Sequence, residues 1–199
     1  MSEAPWLVVG LGNPGAGYAG NRHNIGAMVV AALAQQERAS LREHKAGRVW
    51  AAEVRLGTAP GGLPGPRAVL ARPRTYMNVS GGPVSALTKF YKVPIEQVVV
   101  VHDELDIDFG QVRLKRGGGE GGHNGLRSIS QSLGSRDYLR VRLGVGRPPG
   151  RQDPADHVLS DFPAKDRQEV ELLVGDGVDA VVDLAQLGLE TTQQRFHAR

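Results

Sequence analysis

Short apolar runs and helical spacings alternate along most of the chain. Trp6 to Gly10 (WLVVG) is an apolar run closed by a glycine-rich turn, which predicts a buried strand. From Asn24 to Ala39, Ile25, Met28, Val29, Ala32 and Leu33 follow helical spacing, with Asn24 placed as an N-cap. Arg48 to Leu56 and Ala68 to Ala71 read as a hairpin whose tip is the Gly/Pro stretch Thr58 to Pro66. Ser80, Pro83 and the periodic Val84, Leu87, Phe90 and Tyr91 mark a second helix. The run Val98 to Val101 predicts a central strand covered on both faces, followed by a polar loop. Gln111 to Lys115 and Leu139 to Val145 alternate as strands around a glycine loop and a helix from Gly125 to Leu133. Pro163 opens a long helical region, and the tail beyond about Thr191 has no readable pattern. Together these elements predict one α/β domain over residues 1–199, with a twisted, mixed, largely parallel β-sheet and helices on both faces.

Composition narrows the chemistry. The chain has no cysteine, which excludes disulfides, thiolate nucleophiles and sulfur-ligated metal. No apolar run approaches the roughly 20 residues that span a bilayer, and no secretory signal is visible, so a cytoplasmic protein without a membrane partner is expected. The net charge of +3 hides an uneven distribution. Arg113 to Arg151 holds nine basic residues against Glu120 and Asp137, a local +7 that leaves −4 for the remainder. A polyanionic partner fits that concentration.

Gly10-Leu11-Gly12-Asn13-Pro14-Gly15 matches the dinucleotide-binding pattern G-x-G-x-x-G. The match fails on chemistry: Pro14 removes a backbone donor, Asn-Pro-Gly is turn-forming, and no acid follows at the end of a second strand. A second match, Gly117 to Gly122 (GGGEGG), reads as a flexible loop flanked by Arg113, Lys115 and Arg116, with Glu120 adding a negative charge.

Three of the six histidines, His23, His102 and His123, fall in loops after expected strands, where ligands of open α/β sheets bind; His44, His157 and His197 read as surface residues. The segment His102-Asp103-Glu104-Leu105-Asp106 allows two readings. Asp103, Glu104, Asp106 and Asp108 could supply oxygens to a hard cation, or Asp103 alone could orient a histidine from another loop. With neither cysteine nor a serine elbow, attack by water activated by a His-Asp pair is the simplest hydrolytic chemistry. Asn13, Asn21, Asn24, Asn78 and Asn124 recur in the same loops, as amides able to hold a carbonyl, a peptide N–H or a ribose hydroxyl, or to form turns.

Five stretches, taken in order, resemble the bacterial peptidyl-tRNA hydrolase family. They are Val9 to Gly15 with Tyr18, Arg22-His23-Asn24-Ile25-Gly26, Tyr76-Met77-Asn78-Val79-Ser80-Gly81, His102 to Asp106, and Gly121 to Leu126. The resemblance implies hydrolysis of the ester between a peptide and the 3′-terminal ribose of peptidyl-tRNA, by a monomeric cytoplasmic enzyme that needs no metal and no cofactor. It implies that His23 activates water and Asp103 orients it. Asn13, Asn78 and Asn124 would hold the peptide and the 3′ end, Asn78 and Asn124 also serving the water or the oxyanion. Tyr18 and Met77 would line the cleft. Lys115 and Arg142 would clamp the phosphate at the tRNA 5′ end, with Arg140 as the alternative to Arg142, since alternation points both the same way. A non-catalytic RNA-binding protein on the same fold is the rival reading.

Overall fold

The apolar runs become the centre of the sheet. In the computed structural model, which describes residues 3–198, Trp6–Gly10 forms β1 and Val98–Glu104 forms β5, and the two pair in parallel. On its other side β1 pairs in parallel with β4 (Arg67–Pro73), and β5 pairs in parallel with β7 (Leu139–Gly144). Antiparallel partners finish both sides. β3 (Val49–Arg55) forms the expected hairpin with β4 and carries the two-residue β2 (Arg42–Glu43), while β6 (Val112–Arg116) lies outside β7. The order is β2-β3-β4-β1-β5-β7-β6, a mixed sheet with a parallel centre.

Helices cover both faces, which is why the central strands are apolar at every position and not at alternate ones. Val8, Val99, Val101, Val141 and Leu143 pack in one layer with α1 (Ile25–Gln36), α5 (Arg167–Leu187) and α6 (Leu189–His197). Leu7, Val9, Val98 and Val100 pack on the other face with α2 (Gly81–Tyr91) and α3 (Asn124–Leu133). A five-residue helix, α4 (Pro154–Val158), lies outside these layers. Among the described residues no helix is long and apolar enough to cross a membrane.

Two glycines set the height of α1 over the sheet. A Cβ on Gly26 would stand 2.1 Å from the Val101 carbonyl oxygen, and one on Gly10 2.3 Å from the Gly26 oxygen. The glycine pattern after β1 thus serves helix-to-strand contact. Its consequence is positional: the 3-10 turn Arg22–Asn24 that leads into α1 sits over the carboxyl end of β5.

Several expectations need correction. β5 runs through His102 and Asp103 to Glu104 because its backbone stays paired with β7 up to Gly144, so these are strand residues and not loop residues. The tail is ordered as α6, held on the open edge of β6 by polar bonds: Gln193 Nε2 donates to the Leu114 carbonyl at 3.0 Å and the Leu114 N–H donates to His197 Nε2 at 2.9 Å. His157 is buried, and half-buried His44 bonds the Tyr91 hydroxyl at 2.9 Å. None of these three histidines is a bare surface residue.

Candidate active site

Asp103 is buried at the carboxyl end of β5 and gathers two histidines from different parts of the chain. His23 Nδ1 lies 2.9 Å from Asp103 Oδ2, and His123 Nε2 lies 2.8 Å from Asp103 Oδ1. The proton positions follow from the rest of the network. His123 is the N-cap of α3, where its Nδ1 accepts from the N–H groups of Gly125 (3.1 Å) and Leu126 (3.3 Å). Its proton is therefore on Nε2, donated to Asp103. His23 likewise donates from Nδ1 to the carboxylate, which leaves the lone pair of its Nε2 with no partner among the described residues, at a residue lining the cleft.

The charges in this group reinforce one another. Burial opposes ionisation of Asp103, but the two imidazoles outweigh it and hold its carboxyl far below the usual range. For His23, burial disfavours the protonated ring, yet the charge and hydrogen bond of Asp103 win and raise its pKa. His102 has a different role. It is fully buried, its Nδ1 donates to the Asp103 carbonyl at 2.7 Å, and its ring meets that of His123 edge-on at 5.1 Å. Burial and the neighbouring His123 push its pKa down to about 3, so it stays neutral.

His23, Asp103 and His123 are also the one group of three potential metal ligands among the described residues. The hydrogen bonds argue against a cation there. A metal on His123 Nε2 would need its proton, while Nδ1 already accepts two backbone N–H groups, so the ring would have to become imidazolate. The run of acids does not converge either: Asp106 pairs with Arg147 at 2.6 Å, and Asp103 faces the histidines.

The cleft has a volume of about 450 Å³ and is lined by Asn13, His23, Met77, Asn78, Asp103 and Asn124, among others. A chain of amide bonds shapes its floor. Asn24 makes no cap bond to α1; its Oδ1 accepts the Asn13 N–H and its Nδ2 donates to the Asn13 carbonyl, both at 2.9 Å. Asn13, so held, accepts the Met77 N–H on its Oδ1 at 2.7 Å. Asn78 and Asn124 are exposed. Tyr18 is not among the lining residues and instead meets the ring of Tyr76 edge-on at 6.3 Å.

Two contributors were not assigned a part from sequence. Pro154, Ala155, Val158 and Leu159 form a wall of the cleft, and Arg22 ties that wall to the His23 turn, its Nη1 donating to Ser160 Oγ at 2.7 Å and to the Asp161 carbonyl at 3.0 Å. Asn21 adds a bond to Asp161 at 2.6 Å. His123 was visible as a loop histidine, and its spacing before Gly125 and Leu126 was the signal for its capping role.

The basic positions lie beside the cleft, on β6 and β7. Register places Lys115 opposite Arg140 and Arg113 opposite Arg142. Arg140 is buried, donates to the carbonyls of Gly119 (2.6 Å) and Gly118 (2.8 Å), and stacks on Tyr138, so its guanidinium is committed to holding the glycine loop. Arg142 is half-buried, and its Nε, like that of Arg140, has no partner among the described residues. Glu120 is neutralised by Arg136 at 2.9 Å.

Comparison with known proteins agrees with this geometry. The family model described as peptidyl-tRNA hydrolase matches residues 7–199. The chain belongs to the peptidyl-tRNA hydrolase family. A peptidyl-tRNA hydrolase of Kineococcus radiotolerans is 63% identical over 198 residues, covering 100% of this chain and 99% of the relative. One from Frankia alni is 61% identical, over 98% and 95% of the two chains. The crystal structure of the family member from Acinetobacter baumannii superposes with a TM-score of 0.84 at 33% identity, covering 100% of this chain and 97% of that one. The α/β architecture is thus that of solved members of the family.

Proposed function

We propose that this protein hydrolyses the ester linking a peptide to the 3′-terminal ribose of peptidyl-tRNA, with His23 as general base. The observation that carries this reading is the contact of His23 Nδ1 with both Asp103 oxygens, at 3.0 and 2.9 Å: a carboxylate can only accept there, so the Nε2 lone pair is left to a residue of the cleft. In the reaction His23 Nε2 accepts a proton from water as the oxygen attacks the ester carbonyl. The imidazolium is stabilised by Asp103 and returns the proton to the departing ribose oxygen, leaving free tRNA and a peptide carboxylic acid that loses its proton to solvent. Asn13, Asn78 and Asn124 supply amides to the peptide, the 3′ end and the developing oxyanion, Met77 supplies the apolar floor, and Tyr18 buttresses Tyr76 at the rim. Every group used comes from one copy of the chain, so the reaction in this reading needs no second copy, and the reading takes the acting unit as a monomer in the cytoplasm, where translation supplies the substrate.

Lys115 and Arg142 form the phosphate clamp in this reading, because Arg140 is buried and both of its terminal nitrogens donate to the glycine loop. Replacing either Lys115 or Arg142 by Ala is expected to weaken tRNA binding and to lower the slope of log affinity against log salt by about 1. Unchanged slopes in both variants would remove the clamp. The activity itself is tested by release of tRNA from purified N-acyl-aminoacyl-tRNA with a chelator present. Cleavage at the untreated rate is expected, and the absence of cleavage would overturn the reading. The rival RNA-binding role without catalysis is not favoured, since it has no use for a buried acid paired with two histidines.

A further inference from the structure

Glu104 is the residue shared by the cleft and the basic strands. It is the last residue of β5, directly after Asp103, and it lines the cleft. In the sheet His102 is opposite Arg142 and Glu104 is opposite Gly144, so Glu104 and Arg142 are diagonal neighbours on one face. Lys115 and Arg113 share that face on the next strand. Glu104 nevertheless makes no direct ion pair among the described residues, and Arg142 is left with a buried unpartnered Nε. The cations feel it at a distance. Burial, Arg142 and Arg140 lower the pKa of Lys115 while Glu104 raises it, and for Arg142 burial lowers the pKa while Glu104 raises it.

A clamp on the tRNA 5′ phosphate holds substrate and product equally, because the phosphate is still present after the ester is cut. Such binding does not accelerate the chemical step and slows departure of the product. We infer that Glu104 is a counter-charge that opposes the 5′ phosphate in the Lys115–Arg142 clamp, loosening the hold on tRNA before and after cleavage alike and so speeding departure of the deacylated product. The role rests on the clamp reading above. It distinguishes Glu104 from its neighbour Asp103, whose carboxylate faces the histidines.

The test is equilibrium binding of two deacylated tRNAs, one with its 5′ phosphate and one dephosphorylated to a 5′ hydroxyl. Glu104→Gln is expected to tighten binding of the phosphorylated tRNA by about 5-fold and to leave the hydroxyl form nearly unaffected. Glu104→Asp, which keeps the charge, is expected to retain the wild-type ratio of the two affinities. A wild type that prefers the phosphorylated tRNA, combined with an unaltered ratio in Glu104→Gln, would overturn the role of Glu104 alone. A wild type indifferent to the phosphate would overturn the clamp and this role with it. Weaker binding of both tRNAs by Glu104→Gln would mark the side chain as structural and also overturn the inference.

Discussion

His23→Ala is expected to cut single-turnover cleavage of N-acyl-aminoacyl-tRNA by about 10³-fold while the protein remains folded. The side chain is largely buried and packs against the His123 ring at 4.9 Å, but the 3-10 turn that carries it is held by bonds of its neighbours, Asn24 to Asn13 and Arg22 to the 157–161 segment, and Asp103 keeps its bond to His123. Loss of rate with an unchanged circular dichroism spectrum therefore isolates the base. A rate within about threefold of wild type would remove His23 from the proton transfer.

Asp103→Asn is expected to be almost as severe, by about 10²- to 10⁴-fold, for a reason the hydrogen bonds make specific. Two N–H groups point at this side chain, and an amide has one oxygen for them. His123 cannot change tautomer without giving up the cap of α3, so the amide oxygen stays with His123 Nε2–H. The amide nitrogen then faces His23 Nδ1 and donates to it, which moves the His23 proton to Nε2. The base loses its lone pair although no atom need move far. The same kinetic assay checks this, and near-normal rates would mean that His23 does not depend on Asp103 for its tautomer.

Much of this site was legible before the fold was seen. The strands β1 and β5 announce themselves because both faces of the sheet are covered; placing strand ends at one edge left Asp103 with three candidate histidines, and the family resemblance singled out His23. What stayed hidden has physical causes. α6 shows little apolar periodicity because it is attached to β6 through Gln193, His197 and the Phe196 carbonyl. α4 is too short for any pattern and depends on Arg22, a residue far away in the chain. Arg140 and Arg142 are equivalent by alternation, and what separates them is tertiary: Arg140 is buried against Tyr138 and bonded to the carbonyls of Gly118 and Gly119. The end of β5 was misplaced because His102 is polar, yet a strand continues as long as its backbone is paired. The capping use of Asn24 failed for a related reason: its side chain was needed for Asn13.

The central claim is that Asp103 both fixes and charges the His23 base, and the pH dependence of single-turnover cleavage tests it most directly. The working form is the neutral imidazole, so the rate falls as pH drops through the His23 pKa. Asp103 raises that pKa, which places the acidic limb of the wild-type profile above the ordinary imidazole value of about 6.5. In Asp103→Asn the charge is gone, and the limb should move to lower pH along with the loss of rate. A limb at the same pH in both proteins, or a wild-type rate that rises as pH falls, would contradict the account.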